Sequence, residues 1–444
     1  MSTPTVLPAA ALDGVDLTDP RRHAAQELGP VFARLRTEAP LAWHPAPAGA
    51  ERGFWVVSRH ADAVDVLRDT AGFSSARGNM LTTLLADGDS AGNRMLVVSD
   101  APWHTELRAE MRKAFTPRAL AEIGERIRAT ARRVVREAAA RGAAGEPVDM
   151  ADDIAAHIPL SAICDLLGVP ERDRAFILRQ TSVALGSHEP VPATLEARLA
   201  QAEILMFFAK LARRRGGGPA LDAISLLARA EVGARRLSED ELVLNCYSLI
   251  LGGDETTRLS MVGGVHALAQ RPEQWRRLRD GEVGTEGAVE EILRWTSPLL
   301  HAGRTATRDV DLHGRTVAAG DVVCVWLGSA NRDERVFTAP DTFDPGRTPN
   351  RHVTFAHGPH FCLGAHLARI ELGALLDALR ESVTEIEPAG PPSPVYSAFV
   401  SGPAHLPVVL RPGAPRGQVA SFGSGRARGV RHARLTPPDR PDPA

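Results

Sequence analysis

From Leu237 to Pro272 the chain reads LSEDELVLNCYSLILGGDETTRLSMVGGVHALAQRP, with helical periodicity and no proline before its last residue. Ser238 and Glu241 stand three apart, the spacing of a capping box, and Pro272 stops the run. The segment predicts one helix of about thirty residues and roughly 45 Å. A rod of that length crosses a whole domain, so the rest of the fold must be built around it. Gly252 and Gly253 fall at its middle, where each costs about 1 kcal/mol relative to Ala. A helix serving only as support would be expected to lack them, whereas close approach of a large flat group accounts for both. Glu255, Thr256 and Thr257 follow, an acid and hydroxyls at positions where Thr can bond back to a carbonyl and open the helical ladder. A packing notch beside a solvated Glu is the alternative.

Other helical periods run over 119–141, 195–214, 286–295 and 363–379, while Trp55–Val57 and the segment 310–333 alternate like short strands with glycine turns. The fold class is mainly α with minor β. No linker or internal repeat interrupts residues 30–411, so the expected organisation is one catalytic domain there. Residues 1–29 are an N-terminal extension, and 412–444 a disordered tail rich in Arg, Gly and Pro. A net charge of −2 and the absence of a basic stripe interleaved with aromatics argue against nucleic acid. No secretory leader and no run of eighteen apolar residues are evident, so the expected location is cytoplasmic, with no membrane partner. The four cysteines lie far apart with no CxxC pair, which excludes a disulfide framework and a zinc ribbon.

Chemistry concentrates in FAHGPHFCLGAHLARIEL, residues 355–372, which carries His357, His360, Cys362 and His366. A buried small thiol with packing or capping histidines is one reading. A zinc site is a second, although the spacings match no usual zinc pattern, and Phe355, Phe361, Leu363 and Leu367 form an apolar wall that a tetrahedral site does not need. In the third, Gly358 and Gly364 let backbone approach something flat, and the helix starting after Cys362 aims N–H groups at the sulfur. A thiolate held by N–H donors beside an apolar slot is what axial ligation of haem iron demands.

The stretch resembles the cysteine-ligand loop of the cytochrome P450 haem-thiolate monooxygenases, Phe-Gly-x-Gly-x-His-x-Cys-x-Gly. Phe355, Gly358, His360, Cys362 and Gly364 are in register, and Ala356 stands where the family usually has Gly. Distant segments resemble the same family. GGDETT matches its central helix with an acid and alcohol pair. Glu291 and Arg294 match its Glu-x-x-Arg, with Arg347 as third partner, and His104 and Arg108 match its His-x-x-x-Arg clamp. Arg304 falls where the family has a propionate arginine. The likeness covers nearly all of residues 30–411.

The resemblance implies a P450 fold, a helical domain plus a small β-rich region around a buried haem. It also implies haem b (iron protoporphyrin IX) as cofactor and Cys362 as the metal ligand, a thiolate that favours O–O cleavage. Contacts to the haem would come from Gly253, Phe355 and Gly364, with His104, Arg108, Arg304 and His360 neutralising its propionates. Thr256 would supply the distal hydroxyl and Glu255 the relay acid. Electrons would come from NAD(P)H through a ferredoxin and ferredoxin reductase, since the chain carries no flavin or nicotinamide fingerprint and no ferredoxin cysteine set. Arg108, Arg112, Lys113 and Arg118 form a candidate landing patch. The expected reaction inserts one oxygen atom from O2 into a medium-sized, largely apolar small molecule of secondary metabolism, free or carrier-tethered. Oxidative coupling or ring closure on the same fold is the alternative. A haem sensor, an electron carrier and a zinc hydrolase are rivals from other classes. Candidate pocket walls are 73–95, 175–208, Leu249, 299–302 and 399–400.

Overall fold

The computed structural model describes residues 12, 14–86, 88–185, 195–215 and 222–413. The helices that position the site are α1 (Trp103–Arg112), α2 (Pro117–Ala143), α3 (His157–Leu167), α4 (Leu195–Arg215), α5 (Glu239–Gly253), α6 (Glu255–Ala269), α7 (Thr285–Thr296) and α8 (Ala365–Ser382). Each of the helical periods named above has its helix. In α2, Thr116 caps the first turn by accepting from Ala119 N, Pro117 starts the helix, and Leu120, Ile123, Ile127, Ala131, Val134 and Ala138 make one buried stripe. That stripe packs against α8, and α6 packs against α7 and α8.

The long helix is the main departure from expectation. Its capping box is present, with Glu241 N donating to Ser238 Oγ and Ser238 N donating to Glu241 Oε2 at 2.7 Å. The rod is nevertheless two helices of fifteen residues each, α5 and α6, meeting at Asp254, which stays right-handed but at a distorted φ of −91° and ψ of −71°. The cause is local. Two glycines precede the break, and Thr256 Oγ1 donates to Gly252 O at 2.9 Å while Ser260 Oγ donates to Thr256 O at 2.9 Å, so side chains compete for the ladder's carbonyls.

Five short strands form the sheet: β1 (Leu41–His44), β2 (Phe54–Val57), β3 (Phe73–Ser74), β4 (His301–Ala306) and β5 (Val322–Trp326), in the order β1-β2-β5-β4-β3. β5 runs parallel to β2 and antiparallel to β4, with Val323 opposite both Trp55 and Arg304. This register puts Arg304 in the middle of β4, beside the central strand β5. Residues 14–29, expected as an extension, pack into the body: Leu17 and Leu28 share a buried cluster with Leu35, Phe54 and Trp326. They belong to the same compact unit, which runs to Pro412. The tail from 414 on lies outside the described residues, as do the pocket-wall candidates Asp87 and 186–194.

Behind the Cys362 loop, Glu291 and Arg294 are fully buried and 2.8 Å apart, and Arg347 Nε reaches Glu291 at 3.1 Å. Asn350 Nδ2 (3.0 Å) and Asp344 N (2.9 Å) also donate to Glu291, while Arg294 donates to the carbonyls of Asn331 and Pro340. The carboxylate therefore ties α7 to the segment that leads into the Cys362 loop.

Candidate active site

A short 3-10 turn, Gly358–His360, leads into Cys362, whose N–H donates to Phe355 O at 2.9 Å and folds the loop back on itself. Gly358 sits at φ +71°, and a Cβ there would lie 2.6 Å from Leu67 O, so only glycine fits. Ala356 adopts φ +58°. Cys362 is exposed toward open space, yet protein packed on its other sides raises its thiol pKa; the Gly364 and Ala365 N–H groups and the Arg108 and Arg369 cations pull the other way. The sulfur is thus a thiol until a cation binds it, which deprotonates it outright. Arg369 stacks 4.7 Å over Phe355 and ion-pairs with Glu290 at 2.6 Å, fixing the flank of the loop.

His104 and His360 face each other with ring centroids 4.1 Å apart. Burial holds His104 down at about 4 and Arg304 at about 10, and burial together with the Arg304 cation pushes His360 far below its ordinary range. His104 Nε2 is buried with no hydrogen-bond partner among the described residues, and Arg304 Nη1 turns back on the neighbouring Gly303 carbonyl at 2.7 Å. Arg108 Nη2 donates to Phe361 O at 2.5 Å, bringing the clamp against the Cys362 loop. Asp100 lies near but is held by Ser74 and Ser75. Four basic groups around one orphaned donor suit an anionic ligand with two carboxylates, as haem has. The zinc reading fails on the same geometry. Among the described residues, His357, His360, Cys362 and His366 do not converge; the metal-capable trio that does is Asp149, Asp152 and His405, elsewhere in the chain.

On the central helix, Thr256 is half-buried and Gly252 exposed. A Cβ on Gly252 would meet nothing within 4 Å, whereas one on Gly253 would meet Ile163 Cδ1 at 2.9 Å. The structure therefore gives Gly253 a packing reason, contact with α3, and Gly252 is the glycine that borders open space. Gly364 borders the Cys362 sulfur, with 4.0 Å between its added Cβ and Sγ. Glu255 is buried and held by Arg258, with Nη2 2.8 Å from both carboxylate oxygens, so a proton passing through Glu255 requires it to leave this partner.

Several residues escaped the sequence reading. Asp254 is buried with one carboxylate oxygen unpartnered among the described residues, and burial followed by the Glu255 charge pushes it up to about 7. Glu371 of α8, hydrogen-bonded to Thr257, is raised well above the carboxylate range by burial and then by Asp254. Only the folded chain brings these acids together. Arg258 carried a signal, the i,i+3 spacing from Glu255. A roof segment, residues 75–86 and 88–100, ties the sheet to the central helix. Gly303 N donates to Asn79 O at 2.8 Å, Leu81 N to His301 Nε2 at 3.1 Å, and Leu96 N to Asn245 Oδ1 at 2.9 Å.

A helical body with a small sheet, a loop that exposes the Cys362 sulfur and basic groups clustered beside it fit a haem-thiolate protein. The sequence model described as Cytochrome P450 matches residues 285–395. Cytochrome P450 NovI of Streptomyces niveus is 45% identical over 409 residues, 92% of this chain and 99% of that protein. Steroid C26-monooxygenase of Mycobacterium tuberculosis is 33% identical, covering 91% of this chain and 94% of its own. The crystal structure of P450 OxyD, involved in the biosynthesis of vancomycin-type antibiotics, superposes with a TM-score of 0.81 at 36% identity, over 89% of this chain and 99% of that one. The chain belongs to the cytochrome P450 family. It is a haem-thiolate monooxygenase that uses haem b, takes electrons from NAD(P)H through redox partners and acts on a small organic substrate. No helix among the described residues is long and apolar enough to cross a membrane.

Proposed function

We propose that Cys362 would ligate the haem iron, that His104, Arg108, Arg304 and His360 would hold its propionates, and that Phe355, Gly364 and Gly252 would border the ring. The observation that carries this reading is the buried, unpartnered His104 Nε2 facing His360 beside Arg304. Such a cluster is costly unless anions complete it. When bound, the haem supplies dioxygen activation. The chain's own part is to exclude water, orient the substrate and move protons. Thr256 Oγ1 donates to Gly252 O, which leaves its oxygen to accept a hydrogen bond, and Glu255 is the acid that resupplies protons on release from Arg258.

The substrate is proposed as a medium-sized, largely apolar intermediate of secondary metabolism, presented free or on a carrier. Oxygen insertion, with Glu255 and Thr256 as the proton machinery, is the first reading, and oxidative coupling or ring closure on the same fold is the second. The electron donor is proposed as a ferredoxin docking beside Cys362, in the cytoplasm, with catalysis confined to residues up to 411. For the assignment of Cys362, the reduced carbon monoxide complex should show the red-shifted Soret band of thiolate ligation. Cys362→Ala should lose it, and His357→Ala and His366→Ala should keep it. Loss of iron with either histidine change in folded protein would overturn the assignment. For the distal pair, Thr256→Ala should bind haem and substrate normally yet consume O2 and reductant well in excess of product, while Thr257→Ala couples nearly normally. Equal coupling in the two variants would remove Thr256 from the mechanism.

A further inference from the structure

We propose that Asn245 is a latch that sets the length of the substrate cavity by clamping Arg94–Leu96 of the roof onto the central helix. This rests on reading the space beside Thr256 as the substrate site. Asn245 is fully buried. Its carboxamide oxygen accepts from Leu96 N at 2.9 Å, and its nitrogen donates to Arg94 O at 3.0 Å and Glu241 O at 2.7 Å. Both N–H donors are therefore occupied and none is left for a ligand. The residue acts on substrate only by closing space.

Its position gives that closure a direction. Residues 245, 252 and 256 are seven and four apart, so they lie within about 20° of one face of the helix. Along that face Asn245 is buried, Leu249 half-buried and Gly252 exposed. The open stretch therefore begins at Gly252 and is shut at Asn245, about 16 Å along the axis from Thr256. A second tie, Arg94 Nη2 to Asp240 at 2.9 Å, lies on the surface between side chains 42% and 78% exposed and adds little. At its other end the roof is pinned to β4 through Asn79 and Leu81, and at its base Asp100 accepts from Ser75 N at 2.8 Å. With the sheet side and base fixed independently, and Leu96 packed into the helical core, the Asn245 tie is the polar contact that sets how far the roof stands from the helix.

N-alkylimidazoles of increasing chain length, bound to the ferric holoprotein through the ring nitrogen and read by the visible shift, test the latch. Each methylene that enters apolar space should tighten binding about fourfold. In the wild type this gain should stop at a defined chain length. In Asn245→Leu, which keeps the size but loses the three hydrogen bonds, the stop should move at least two carbons further. Exchange of the Leu96 amide should also quicken tenfold or more, with Leu81 unchanged. A stop at the same length in Asn245→Leu, or continued gain through the whole series in the wild type, overturns the latch and leaves the haem reading standing. No spectral response to any imidazole overturns both. If Asn245→Leu does not fold, the wild type decides: a stop together with a slowly exchanging Leu96 amide supports the latch, and a Leu96 amide exchanging at open-chain rates overturns it.

Discussion

Ala356 holds φ +58° in the loop that presents Cys362, at the position where glycine would be conformationally free. A left-handed backbone costs an L-residue on the order of 1 kcal/mol or more, part of which returns because glycine enlarges the unfolded ensemble. Ala356→Gly should therefore make the holoprotein about 0.5–1 kcal/mol more stable to denaturant, with the Cys362 spectrum unchanged; a loss of stability would show that the alanine methyl packs usefully. His301 offers a residue-scale test with pH. It is 1% exposed, accepts from Leu81 N and packs near Trp326 and Phe399, and burial lowers its pKa to about 3. In the unfolded chain it titrates near 6.5, so its contribution to stability is present above about 6.5 and lost as pH falls toward 3, at up to about 1.4 kcal/mol per pH unit. His301→Gln keeps an acceptor without the titration. Between pH 6 and pH 5 its unfolding free energy should drop about 1 kcal/mol less than that of the wild type, and parallel curves would count against a neutral buried imidazole.

At the scale of elements, the Glu291 network joins α7 to the segment before the Cys362 loop through five donors: Arg294 Nε and Nη2, Arg347 Nε, Asn350 Nδ2 and Asp344 N. Glu291→Ala leaves the buried Arg294 and the partly buried Arg347 without their counter-charge, a loss of about 3–5 kcal/mol. Little soluble haem-loaded protein should be recovered, and a stable, fully loaded variant would mean that the network relaxes at little cost. The triad came from the likeness to the family's Glu-x-x-Arg, because Glu291 and Arg294 at i and i+3 alone read as an ordinary surface pair and nothing in their spacing points to Arg347. The grouping of His104, Arg108, Arg304 and His360 came from the same likeness. The break at Asp254 was only half legible: Gly252, Gly253 and Thr256 announced an interruption, but its point depends on how Ile163 of α3 packs against Gly253. The roof anchors were not legible at all. Asn245 binds backbone atoms of residues 94 and 96, and nearly every residue type offers the same N–H and C=O. The Asp254 and Glu371 pair escaped too, since nothing in either segment signals that the other is its neighbour.

At the scale of the whole molecule, a net charge of −2 gives no general attraction for an acidic partner, so any steering must come from local charge. Arg112, Lys113 and Arg118 are exposed on and just after α1, the helix whose Arg108 touches the Cys362 loop through Phe361 O. Glu110 offsets part of this by pairing with Lys113 at 2.6 Å, which leaves Arg112 and Arg118 as the stronger sources of field. Exposed charges act over about 8–10 Å at physiological salt, so this patch can guide a partner only to the face beside the Cys362 loop. Reduction by an acidic ferredoxin should therefore slow at least tenfold between low and about 0.5 M ionic strength. The double change Arg112→Glu and Arg118→Glu should slow it comparably at low salt, while leaving alkylimidazole affinity and the carbon monoxide spectrum as they were. A reduction rate indifferent to salt and to both charge reversals would move the docking face away from α1. Equal loss of imidazole affinity would instead trace the effect to a disturbed haem clamp, because Arg108 shares the helix.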